Sequence, residues 1–103
     1  MQIEILYFDG CPNHAPTVAR VQHVLADLGL HDEVHQIPIT SVEDAEQRRF
    51  LGSPTVRVNG VDIDPSVQGR TDYGLSCRVY RDMDGVPSET MLRAAFAATQ
   101  QTP

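Results

Sequence analysis

Apolar residues crowd the first eight positions, with Ile3, Ile5, Tyr7 and Phe8 in a short run that Asp9-Gly10 brings to an end. A brief apolar run bounded by a turn signal predicts a buried strand over residues 2–8. The period then changes. From about residue 15 to 28 the apolar positions Val18, Val21, Val24, Leu25 and Leu28 recur at helical spacing, and Gly29 supplies a stop. Pro16 is tolerated only in a first turn, so either this helix begins near Ala15 or its first turn is distorted to keep Cys11 exposed. Residues 33–39, with Val34, Ile37 and Ile39, predict a second strand. With a helix between the two strands, a right-handed parallel crossover is the default arrangement.

Thr40-Ser41-Val42-Glu43-Asp44-Ala45-Glu46 carries a capping residue and an acidic first turn, predicting a short helix that ends near Arg48-Arg49. Residues 50–63 read as a turn, a strand, an Asn59-Gly60 hairpin and a returning strand. Residues 64–74, with Pro65, Gly69 and Gly74, predict a loop without regular structure. Loops of that length in a small domain tend to be functional. Residues 75–80 suit a short edge strand or a brief helical turn, and 82–85 a turn. Pro87-Ser88-Glu89 opens a last helix whose apolar face is Met91, Leu92, Ala95 and Phe96, followed by a frayed tail over 100–103.

A chain of 103 residues predicts one domain, 1–103, with a single core. A formal charge of -6 argues against nucleic-acid and anionic-membrane partners, which require clustered positive charge. Arginine supplies all eight positive charges, a usage that reads as codon bias more than as a design for anion binding. The first residues lack a basic leader and no long apolar stretch follows, so the expectation is a cytoplasmic protein without a membrane anchor. Two cysteines in such a compartment suit catalysis or metal binding better than a structural staple.

Cys11 lies where the first strand hands over to the first helix. A thiol at a helix start faces unpaired N–H groups and the positive end of the helix dipole, both of which favour thiolate. The acidic neighbour Asp9 opposes that effect.

Strand, thiol, helix, strand, helix, Ser-Pro-Thr, hairpin and helix is the order of the thioredoxin-like fold. Gly10-Cys11-Pro12-Asn13-His14 and Gly52-Ser53-Pro54-Thr55 resemble the active-site and cis-proline loops of thioredoxin and glutaredoxin relatives. More narrowly, Leu51-Gly52-Ser53-Pro54-Thr55 with Tyr73-Gly74-Leu75-Ser76-Cys77-Arg78-Val79-Tyr80 resembles a group of small bacterial thioredoxin-like proteins, some labelled alkylmercury lyase-like. The resemblance implies an α/β fold with a central mixed four-stranded sheet (β-α-β-α-β-β-α) flanked by helices, and a long loop or extra short strand before the last helix. It also implies that Pro54 is cis beside Cys11, with the backbone preceding it open to an extended thiol substrate.

Where dithiol relatives carry a second cysteine, this chain has His14, so no local disulfide can form. On this reading Cys11 is the nucleophile of a thiol-disulfide oxidoreductase or thiol-based redox protein, without a cofactor. Its substrate is a small-molecule or protein thiol or disulfide, held by Ser53, Pro54, Thr55 and Arg70. Cys77 is the one internal candidate for a resolving thiol. Arg78 beside Cys77 could lower that thiol's pKa if its side chain turns that way. His14 has three readings: thiolate or proton-transfer partner, metal ligand, or a polar first-turn residue facing water. One alternative function is a soft-metal or organomercurial binding protein using Cys11, Cys77 and perhaps His14. A second is a non-catalytic thioredoxin-like interaction module.

Overall fold

A computed structural model describes residues 1–78 and 85–100. Its elements run β1 (Ile3–Tyr7), α1 (His14–Asp27), β2 (Val34–Pro38), α2 (Val42–Gln47), β3 (Thr55–Val58), β4 (Val61–Asp62), a 3-10 turn (Pro65–Val67) and α3 (Glu89–Gln100). The strands form one mixed sheet in the order β2-β1-β3-β4. β1 pairs with β2 in parallel, Ile3 opposite Val34, and with β3 antiparallel, Leu6 opposite Thr55. The chain is thus an α/β protein, and none of its described helices is long and apolar enough to cross a membrane.

Side chains alternate across a strand, and here the alternation separates two cores. Ile3 and Ile5 on β1, with Val56 and Val58 on β3, meet Val21, Val24 and Leu25 of α1 and Leu92 and Phe96 of α3. Leu6 points the other way and joins Ile39, Ala45 and Phe50 in a smaller cluster under α2.

Local chemistry sets the ends of the elements. The Ser41 hydroxyl accepts from the Asp44 N–H at 3.0 Å and caps α2. At its other end the Phe50 N–H reaches Ala45 O and the Arg49 N–H reaches Glu46 O, a Schellman closure with Arg49 at φ 56. Asn59 and Gly60, both at positive φ, make the two-residue turn between β3 and β4.

Two expectations change. The 64–74 segment contains the 3-10 turn, which Asp64 caps by accepting from the Ser66 N–H at 2.9 Å. Through residue 78 the 75–80 segment is neither helical nor a full strand: it makes a single bridge, Cys77 to Ser53. Val79 and Tyr80, most of the turn expected at 82–85, and the tail over 101–103 lie outside the described residues.

Candidate functional site

Beyond β1 the chain reverses in a turn in which the Cys11 N–H donates to Phe8 O at 3.3 Å. Gly10 holds the third position of that turn at φ 88, a conformation that a residue with a side chain resists. A second turn, His14 N–H to Cys11 O, leads into α1. Cys11 therefore precedes the helix rather than starting it: the N-cap is Asn13, whose side chain makes no capping bond. The Cys11 residue is 9% exposed, at the boundary between core and solvent. The Asn13 carboxamide lies so close over Gly85 that a Cβ there would run into it, which ties the thiol loop to the segment entering α3.

His14 faces the sheet. Its ring stacks on Tyr7 with centroids 3.6 Å apart and planes 6° from parallel, and Nε2 lies 2.7 Å from Gln36 Oε1. Those contacts fix the imidazole over the ends of β1 and β2. The other histidines stay at the surface, His23 near Glu89 at 3.8 Å, and His31 and His35 exposed. Among the described residues, no three His, Cys, Asp or Glu side chains gather into a metal-holding group.

The Ser53-Pro54 peptide is cis. Ser53 and Thr55 are fully buried and their polar groups are taken up internally. The Phe8 N–H donates to Ser53 Oγ at 3.4 Å, and the Thr55 hydroxyl donates to Gly52 O at 2.6 Å. The expectation of an open backbone before Pro54 does not hold. The Ser53 N–H donates to Ser76 O at 2.8 Å, and Ser53 O accepts from the Arg78 N–H at 2.9 Å. The chain's own Ser76-Cys77-Arg78 segment occupies that position, in a parallel bridge with Cys77 opposite Ser53. Gly52 makes the approach possible: it sits at φ 125, and a Cβ there would come within 3.1 Å of both Arg78 Cβ and Ser76 O.

In this segment Cys77 is exposed and Arg78 is buried. Arg78 is 3% exposed. Its Nη1 and Nη2 donate to the two Asp62 oxygens at 2.6 and 2.9 Å, Nη1 reaches Thr55 Oγ1 at 3.3 Å, and Asp64 lies 4.0 Å away. The guanidinium thus serves the sheet and does not turn toward the Cys77 thiol. A buried charge requires such partners, and the arrangement fixes where Cys77 stands. Both cysteines are free thiols. Cys11 is one turn from Phe8, Phe8 one hydrogen bond from Ser53, and Ser53 one bridge from Cys77.

Arg70 belongs to a different place. It forms a fork with Asp72 at 2.9 and 2.5 Å, and that hydrogen-bonded pair holds the Asp72 carboxyl down to about 2. It lines a cavity with Arg48, Arg49 and Arg57.

Sequence reasoning missed the Arg78 clamp. One signal was present: Asp62 and Asp64, two apart around the core residue Ile63, put two carboxylates on the same side of the chain, where burial demands a cation. No family model, curated protein or solved structure matches this chain.

Proposed function

We propose that this chain is a thioredoxin-like thiol-disulfide exchange protein in which Cys11 is the nucleophile and Cys77 the resolving thiol. The supporting observation is the backbone bridge between Cys77 and Ser53, beside the end of β1 from which the Cys11 loop departs. The element order and the sheet order β2-β1-β3-β4 are consistent with the resemblance on which the reading began.

In the forward step the Cys11 thiolate attacks one sulfur of a substrate disulfide. A mixed disulfide forms and the second substrate sulfur leaves as thiolate, to be protonated by water. The Cys77 thiolate then attacks the Cys11 sulfur. The first substrate sulfur is released, and a Cys11–Cys77 disulfide carries the oxidation. Two electrons have passed to the substrate, and an external thiol reductant returns the protein to its dithiol form. Because the Ser76–Arg78 segment already pairs with Ser53, a substrate meets Cys11 without adding a strand there.

For the metal-binding alternative, no group of three metal-ligating side chains gathers among the described residues.

The test is peptide mapping by mass spectrometry after exposure to a small-molecule disulfide such as glutathione disulfide. The expected product is Cys11 joined to Cys77, with Cys77→Ser accumulating a Cys11 mixed disulfide instead. Exposure alone favours modification of Cys77, so labelling of Cys77 with Cys11 left as free thiol would defeat the proposal.

A further inference from the structure

The six-residue α2 covers the sheet only over β1 and β2. Over β3 and β4 a cavity of about 430 Å³ opens between the end of α2, the Arg57–Asp62 pair of the hairpin and the 64–73 segment. Its wall carries Arg48, Arg49, Arg57 and Arg70 with Leu51 and Tyr73. Half of the eight cations of a chain with fourteen acidic residues therefore converge on one cavity.

The local carboxylates have partners of their own. Asp62 and Asp64 also reach the wall, but both face Arg78 from behind, Asp62 in a fork and Asp64 at 4.0 Å, and Asp64 also accepts from the Ser66 N–H and hydroxyl. Arg48 and Arg70 have as partners Asp44 and Asp72, in water-exposed pairs of the kind that exchange at little cost. Arg57 is fixed at the helix end, its Nη2 donating to Arg48 O at 2.6 Å and Arg49 O at 2.8 Å. Burial lowers its pKa, against the pull of Asp62 and Glu4, so an added anion would restore the solvation it has lost.

Arg49 is the most telling residue. It occupies the left-handed position that closes α2, where glycine fits without steric cost and arginine does not. Among the described residues its side chain has no hydrogen-bond or ion-pair partner. A side chain kept at a position that disfavours it, facing a cavity and unspent on the fold, has a use outside the fold.

We propose that this cavity binds a small organic anion, with a carboxylate or phosphate gripped by Arg49, Arg57 and Arg70 and an apolar body resting on Leu51 and Tyr73. Arginine forks match both oxyanions in a bidentate manner, and the mixed lining favours a ligand that is more than an inorganic ion. The inference does not depend on either cysteine.

The test titrates isotope-labelled protein with phenylphosphate, benzoate and the uncharged benzamide, following backbone amide resonances. Saturable shifts at residues 48–51, 57 and 67–73 are expected with an anion, and affinity at least about tenfold weaker for benzamide. Preference for phenylphosphate identifies a phosphoryl ligand, and preference for benzoate a carboxylate. Arg49→Gly separates fold from site: its melting temperature should be unchanged or raised, while anion affinity falls about tenfold or more. Arg70→Gln, on an exposed loop, should also weaken binding without altering the melting temperature. Benzamide binding as tightly as the anions, shifts elsewhere on the protein, no saturation at millimolar concentrations, or an Arg49→Gly variant that binds undiminished would each overturn it.

Discussion

The two faces of this sheet are held by different physics. Toward α1 and α3 the contacts are hydrocarbon on hydrocarbon, Ile3, Ile5, Val56 and Val58 against two helices. On the opposite face that is true only as far as Phe50 and Leu6. Past β1, the same face holds Thr55, Arg57, Asp62 and Arg78, tied by directed bonds. Apolar packing tolerates any residue of suitable volume, whereas a buried ion pair demands both partners in one geometry. The first face therefore supplies bulk stability, and the second fixes positions: those of Ser53, Cys77 and the arginine cavity.

The largest expected effect lies on the apolar face. Phe96 is fully buried between sheet and helices, and Phe96→Ala should cost about 4 kcal/mol in denaturant unfolding. Phe96→Leu should recover much of that, because volume is what counts there. The polar half should behave otherwise. Asp62→Ala removes the two shortest charged contacts of the buried Arg78, at a cost of about 3 kcal/mol. Replacing the whole cluster, as Asp62→Leu and Asp64→Asn with Arg78→Met, should recover stability relative to Asp62→Ala although more native contacts are lost. If the triple variant were less stable than the single one by a further comparable amount, the contrast between the faces would be wrong.

That contrast also explains how much of the molecule was readable from the chain. The helices over 14–27 and 89–100 and the strands around Ile3 and Val56 announced themselves because apolar period is a local property, visible in a window of ten residues. The Ser41 cap and the Asn59-Gly60 turn were legible for the same reason. Arg78 and Asp62 are sixteen residues apart, and nothing in either neighbourhood names the other. Arg48-Arg49 read as a helix terminus, which they are, but a left-handed φ at Arg49 leaves no mark in the sequence when the residue there is not glycine. Cys77 was singled out as a thiol. Its backbone position beside Ser53 depended on Gly52, whose role as a site of close approach appears only once two distant segments are brought together.

Gly52 is the joint between the two kinds of order and should have the next largest effect. Its φ of 125 is unfavourable for any residue with a side chain, and an added methyl would press on Ser76 O and on Arg78 Cβ. Gly52→Ala should therefore cost about 2 kcal/mol and loosen the Ser76–Arg78 segment specifically. Hydrogen exchange would distinguish the two faces. The Arg78 amide, which donates to Ser53 O, should lose protection well before the amides of β1. Equal loss across the sheet would mean that the segment is not a separately held unit.

At the rim of the polar half the forces are weakest, and the test there is of titration rather than of stability. Asp72 is held to about 2 by its hydrogen-bonded fork from Arg70, against an ordinary value of 3.8. A carboxyl whose folded pKa is depressed adds stability above its unfolded value and loses that contribution as the pH falls through the folded one. For Asp72 the loss therefore runs from below about pH 4 to about pH 2. Both side chains are exposed, so the pair should leave the unfolding midpoint at neutral pH almost unmoved. Carboxyl carbon resonances should show Asp72 titrating at about 2 in the native chain and shifted up toward 3.8 in Arg70→Gln. A native midpoint already near 3.8 would mean that Arg70 is not engaged by Asp72 in solution, leaving a second cavity arginine as free as Arg49 and widening the difference between a clamped Arg78 and a rim open to ligands.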